Sequence, residues 1–98
     1  MLGINVTYIM RPEEGSREGF LLGASQVREE VLREEGCLQY DYFFPVESPD
    51  KLLLVEKWTS REAQRVHLGQ PHMAKITQLK ERYVQSVTLE FYDLEEKG

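Results

Sequence analysis

Residues 52–55, Leu52-Leu53-Leu54-Val55, form an unbroken apolar run that continues into Glu56, Lys57 and Trp58. Strand side chains alternate between two faces. Four apolar residues in a row therefore put hydrocarbon on both, and both faces need cover. The helices that the rest of the chain can supply form one layer and cover one face. A second sheet is required for the other, and a second copy of the chain is its simplest source.

The flanking segments show which fold supplies that strand. Leu2, Ile4, Val6, Tyr8 and Met10 alternate with Gly3, Asn5 and Thr7, the period of a strand that Pro12 ends. Ser16 is the expected N-cap of a helix whose buried stripe is Phe20, Ala24, Val27 and Val31, with Leu21 and Leu32 beside it. Gly36 is expected to end that helix in a left-handed conformation. Cys37 to Phe44 is aromatic-rich and alternating, a second strand, and Pro45, Ser48, Pro49 and Asp50 turn the chain into the 52–58 strand. Ser60 then caps a short helix with Ala63, Val66 and His67 on one face. Gly69 and Gln70 break it, and Pro71 opens another helix with His72, Ile76, Leu79 and Tyr83 in line. Val87, Leu89 and Phe91 alternate as a last strand. The order is ferredoxin-like βαββαβ, an α+β fold with a four-stranded antiparallel sheet. It forms one domain over residues 1–98, with a polar tail from about residue 93.

Composition narrows the setting. A chain of 98 residues buries only about two-thirds of its unfolded surface, so association is an inexpensive source of further burial. Cys37 is the only cysteine, which excludes an intramolecular disulfide and suits a reducing compartment. Seventeen acidic against twelve basic residues leave a net charge of −5, a field that repels nucleic acid and anionic membranes. No stretch approaches the ~20 apolar residues of a membrane helix, and the N-terminus lacks a basic, apolar leader pattern. A cytoplasmic location is expected.

His67 and His72 flank the Gly69-Gln70-Pro71 break, so a bent junction can bring both imidazoles to one pocket. Imidazole titrates near neutrality and can take a proton from a phenol or a hydroxyketone. The alternative is structural: His67 caps its helix and His72 is partly buried at the start of the next. Two imidazoles need at least one more metal ligand, and no cysteine or carboxylate adjoins them in sequence, so no metal site is expected. Glu56 and Trp58 share a face of the third strand. Glu56 is expected to be a buried carboxylate anchored by backbone N–H groups of a neighbouring loop, and the Trp58 indole N–H must find an acceptor. Asn5 projects an amide from an apolar strand, suited either to a ligand oxygen or to the rim of a barrel. Tyr40 and Tyr42 could wall a cavity for a flat ring, although strands are rich in aromatics anyway.

With these residues in view, the chain resembles the antibiotic biosynthesis monooxygenase superfamily over nearly its whole length. The marks are Glu35-Gly36-Cys37-Leu38-Gln39-Tyr40, Val55-Glu56-Lys57-Trp58, the stretch Ala63 to His67, and Gln70-Pro71-His72-Met73. Each is a weak pattern; their order and spacing carry the resemblance. It implies a homodimeric α+β barrel with a pocket between sheet and helices. Its activities range over cofactor-free oxygenation of quinols and phenols, isomerisation of a phosphorylated sugar, and haem degradation. The haem-degrading branch carries an Asn, a helical Trp and a helical His. Asn5 matches the first, while His67 and Thr77 stand at or near the other two, so haem chemistry is not expected. The leading expectation is a monooxygenase without metal or organic cofactor, acting on a quinol or phenol with dioxygen. His67 or His72 would be the base, and Asn5, Tyr40, Tyr42, Glu56, Trp58 and Met73 would contact substrate. The alternatives are an isomerase of a hydroxyketone, with Arg65 or Lys75 anchoring a phosphate, and a small-molecule-binding dimer.

Overall fold

The computed structural model describes residues 1–94. Strand β1 (Leu2–Met10) is followed by helix α1 (Ser16–Val31), strands β2 (Cys37–Phe43) and β3 (Lys51–Trp58), helices α2 (Arg61–Leu68) and α3 (Met73–Tyr83), and strand β4 (Val84–Asp93). The four strands form one antiparallel sheet in the order β2-β3-β1-β4. This is the ferredoxin-like arrangement expected from the hydrophobic periods.

Register decides which side chains meet. Ile4 pairs with Glu56 and Asn5 with Val55, so adjacent residues of β1 face opposite sides of the sheet. The helix side carries Leu2, Ile4, Val6, Tyr8 and Met10 of β1 with Leu52, Leu54 and Trp58 of β3, all buried. Phe20, Ala24, Val27 and Val31 of α1 and Ile76 and Leu79 of α3 close over them. The Phe20 ring lies 5.1 Å from that of Tyr8; truncating a buried aromatic of this kind costs about 3–5 kcal/mol. The opposite side is mixed: Leu53, Val55 and Phe43 stand among Asn5, Thr7, Asp41, Lys57, Thr88 and Glu90. The two-sided run at 52–55 is therefore real, but its outer half is a patch rather than a wholly apolar face.

Several local expectations are corrected. Gly15, with φ +83°, is the N-cap of α1, and Ser16 lies inside the helix with its hydroxyl donating to the Glu13 carbonyl at 2.8 Å. Helix α1 stops at Val31, five residues before Gly36. Gly36 is left-handed, φ +86°, but serves the turn into β2. There its carbonyl accepts the Thr59 N–H at 2.8 Å, and a Cβ would stand 2.6 Å from Ala63 Cβ. Val66 points outward, 53% exposed, leaving Ala63 and His67 as the inward face of α2. Pro71 precedes α3 rather than opening it. Val87, Leu89 and Phe91 do face the helix side, paired with Tyr8, Val6 and Ile4, yet stay 38–53% exposed on the edge strand of the sheet. Asp93 still belongs to β4, and residues 95–98 of the expected tail lie outside the described residues. No described helix is long and apolar enough to cross a membrane.

Candidate functional site

Ser60 starts the construction of the site. Its hydroxyl accepts the Ala63 N–H at 3.1 Å, which fixes the first turn of α2. Nearly two turns on, the helix aims His67 at the sheet, where it is 1% exposed. The imidazole lies against Trp58, ring centroids 4.5 Å apart, and meets the Tyr40 ring at 5.8 Å. Its Nδ1 is 2.9 and 3.1 Å from the two carboxylate oxygens of Glu34. Its Nε2 is 4.0 Å from Glu56 Oε1.

Glu34 was not expected. It lies 33 residues upstream of His67, in the turn that follows α1, where its N–H donates to the Val31 carbonyl and its carbonyl accepts from Cys37. In sequence it is one of several glutamates around the end of α1, which look like a solvated helix face. The available signal was Gly36, whose left-handed geometry marks a turn that folds Glu34 back under α2.

His72 reaches the same carboxylate from outside. Its Nε2 is 2.8 Å from Glu34 Oε2, and its Nδ1 is 3.1 Å from Glu30 Oε2. The two histidines thus converge, though on a glutamate rather than on a common pocket. His72 borders an outer depression with Gln26, Val27, Glu30, Pro71 and Lys75.

Glu56 is 7% exposed and accepts the Trp58 indole N–H at 3.0 Å. This corrects the expected backbone anchor and supplies the acceptor that the indole required. Burial pushes the Glu56 carboxyl above the usual carboxylate range, partly offset by the Trp58 N–H and by His67. Burial likewise raises the phenols of Tyr8, Tyr40 and Tyr42, which stay neutral.

A cavity of about 100 Å³ opens between sheet and helices at this point. Val6, Tyr8, Tyr40 and Met73 wall it, Glu56 and His67 are its buried polar groups, and Lys80, Val87 and Leu89 also line it. Tyr42 stacks edge-on to Tyr40 at 6.0 Å without lining the cavity, and its buried hydroxyl finds no partner among the described residues. Trp58 lies behind Glu56 and His67, fully buried. Asn5 is on the other face of the sheet, accepting from the Tyr92 hydroxyl at 3.5 Å. The expectation that Asn5 and His67 reach one spot fails because β1 alternates and Ile4, not Asn5, pairs with Glu56. Arg65 pairs with Glu62 at 2.6 Å in solvent, and Lys75 lies on the outer depression, so neither points into the cavity.

Glu34, His67 and His72 bring three donor atoms within 4.8 Å of one another, which overturns the premise that no carboxylate stands beside the histidines. The set has the donor types that zinc takes. However, Glu34 already lies 2.8–3.1 Å from each imidazole, shorter than the roughly 3.3 Å between ligands around a tetrahedral ion with ~2.0 Å bonds. Hydrogen bonds account for each of these contacts.

The family model for antibiotic biosynthesis monooxygenase matches residues 3–79. The probable quinol monooxygenase YgiN of Escherichia coli K12 is 30% identical over 81 aligned residues, covering 74% of this chain and 78% of that protein. The fold is shared with a conserved protein of Methanosarcina mazei Go1, at TM-score 0.85 and 23% identity over 96% of this chain and 92% of that one. It is shared too with Rv0793 of Mycobacterium tuberculosis, at TM-score 0.83 and 22% identity over 98% and 96% of the two chains. With the matched segment running from β1 into α3 and carrying Glu34, Glu56 and both histidines, this chain belongs to the antibiotic biosynthesis monooxygenase family.

Proposed function

We propose that this protein is a monooxygenase that uses neither metal nor organic cofactor and oxidises a small quinol or phenol at the helix-side cavity, working as a homodimer. The observation that carries the reading is the placement of His67. One ring nitrogen is tied to a buried carboxylate, and the ring lines an apolar, aromatic-walled cavity. In this reading His67 Nε2 takes the proton of a substrate hydroxyl. The electron-rich anion passes one electron to dioxygen, and the radical pair joins at a ring carbon. One oxygen atom stays on the ring and the other leaves as water, so a hydroquinone becomes a hydroxyquinone. At about 100 Å³ the cavity takes the reacting edge of one ring, and the rest of a substrate would extend along exposed Val87 and Leu89.

The name of the Escherichia coli relative, a probable quinol monooxygenase, supports the same substrate class. For a sugar-phosphate isomerase, Arg65 and Lys75 face away from the cavity, and Lys80, on its lining, would have to anchor the phosphate. The test is oxygen uptake with a panel of quinols and phenols, with the products identified by mass. Uptake matched one-to-one by a product carrying one added oxygen is expected. Quinols left unchanged across the panel, with a hydroxyketone exchanging its α-proton instead, would replace the oxygenase by an isomerase.

A further inference from the structure

Resting on His67 as the base, we infer that Glu34 is the positioning residue of the site: its carboxylate, shared by His67 and His72, keeps the His67 proton on Nδ1 and leaves Nε2 as the acceptor on the cavity side. A neutral imidazole has one N–H and one lone pair. With the proton on Nε2, the Nδ1 lone pair would stand 2.9 Å and 3.1 Å from two oxygens that can only accept. Both groups are almost fully buried, 2% and 8% side-chain exposed, so water cannot relieve that repulsion. With the proton on Nδ1, the contact is a charge-assisted hydrogen bond. Nε2 then faces Glu56 Oε1 at 4.0 Å, too far to bond directly and wide enough for a substrate hydroxyl to approach.

His72 supplies a second hydrogen-bond partner to Glu34 from the solvent side. Its two ring nitrogens face Glu34 at 2.8 Å and Glu30 at 3.1 Å, and the doubly protonated ring alone donates to both. Doubly protonated, His72 would bind both carboxylates and face the one that orients the inner ring. This arrangement gives the histidines different tasks, although sequence presents them as an equivalent pair. His67 faces the cavity, Glu34 acts through it, and His72 acts through Glu34.

The experiment is long-range ¹H–¹⁵N NMR of the imidazole nitrogens in the whole protein, combined with steady-state oxygen uptake. In the wild type, His67 should show a protonated, pyrrole-type Nδ1 and a bare, pyridine-type Nε2. Glu34→Gln can present an amide N–H to Nδ1, so the proton should move to Nε2 and turnover should fall by at least roughly 10²-fold. KM should stay within about threefold, because Glu34 does not line the cavity. Glu34→Asp should restore the wild-type tautomer and part of the rate. A wild-type His67 carrying its proton on Nε2 overturns the inference, whatever the activity. So does a Glu34→Gln protein that keeps the Nδ1–H tautomer and full turnover. If instead the tautomer is as expected and moves in Glu34→Gln, while no quinol is oxidised by the wild type, the role of Glu34 stands and the oxygenase reading falls.

Discussion

The two faces of one sheet, a few ångströms apart, have been given opposite chemistry. On the helix side, Glu56 and His67 are withdrawn from water and each must find partners inside the protein: Trp58 for one, Glu34 for the other. On the open side, Asn5, Thr7 and Lys57 keep partial access to solvent around Leu53 and Val55. A step of one residue along β1 or β3 moves a side chain from one regime to the other. The lesson is that a polar residue in a strand gains catalytic potential from the face it occupies: burial on the helix side pushes the Glu56 carboxyl above the usual carboxylate range.

The largest effect expected from this difference is that of His67→Ala, which should lower turnover by roughly 10²–10⁴-fold while the fold persists, measured by oxygen uptake beside a thermal melt. His72→Ala should have the smaller effect on rate, because its ring lies outside the cavity. The reverse order would move the base to His72 and break the contrast between inner and outer rings.

The open face should act through assembly. The wild type is expected to sediment as a dimer at micromolar concentration. Leu53→Asp, which would place a carboxylate at the centre of the apolar patch, should shift it to monomers. A wild-type mass equal to one chain would show that this face needs no cover.

How much of this was legible in sequence follows the range of the forces concerned. Strands, helices and the position of His67 come from periods of two and 3.6 and from the caps at Ser60 and Gly69, which act over a few residues. Glu34 was missed because its role depends on a contact across 33 residues and on a turn, where no period exists to be read. Asn5 was misassigned for another reason. Alternation tells which residues share a face but not which partner residue lies opposite, and only the β1–β3 register puts Ile4 beside Glu56. Trp58 and Glu56 were correctly placed on one face, yet their mutual hydrogen bond was not foreseen, since a strand also permits either side chain to turn toward a loop.

Glu56 offers a gentler probe of the buried side. Its carboxyl is raised by burial, so the folded state holds its proton more tightly than the unfolded chain does. Folding stability should therefore fall as pH rises from the ordinary carboxylate range through the raised value, by about 1.4 kcal/mol for each unit of difference. Glu56→Gln keeps an oxygen for the Trp58 N–H and removes the titration. Its denaturant midpoint should be flatter than that of the wild type across that window and higher at neutral pH. An unchanged pH profile would mean that Glu56 titrates as an exposed glutamate.

Cys37 lies between the regimes. It is half-buried at the first residue of β2. Burial, then Glu34 and Glu56, push its thiol up. Labelling of the native protein by a thiol reagent at neutral pH should be severalfold slower than that of the unfolded chain, because the thiolate is the reacting form. Equal rates would show that neither burial nor the nearby carboxylates raise the Cys37 thiol.

The smallest effect is expected at Asn5, and it is the most discriminating. Its amide accepts a long hydrogen bond from Tyr92 on the open face, while the backbone of β1 separates it from Glu56 and His67. Removing the amide leaves the helix-side cavity unaltered, and a half-exposed polar truncation away from special features costs within about 0.5 kcal/mol. Asn5→Ala should therefore keep turnover within roughly twofold and remain a dimer, measured by the oxygen-uptake and sedimentation assays used for His67 and Leu53. A loss comparable to that of His67→Ala, with the fold and the dimer intact, would mean that substrate is held on the open face. The polar pair Asn5–Tyr92 would then be the place to search for the reaction, and the buried Glu34–His67–His72 chain would be a structural brace.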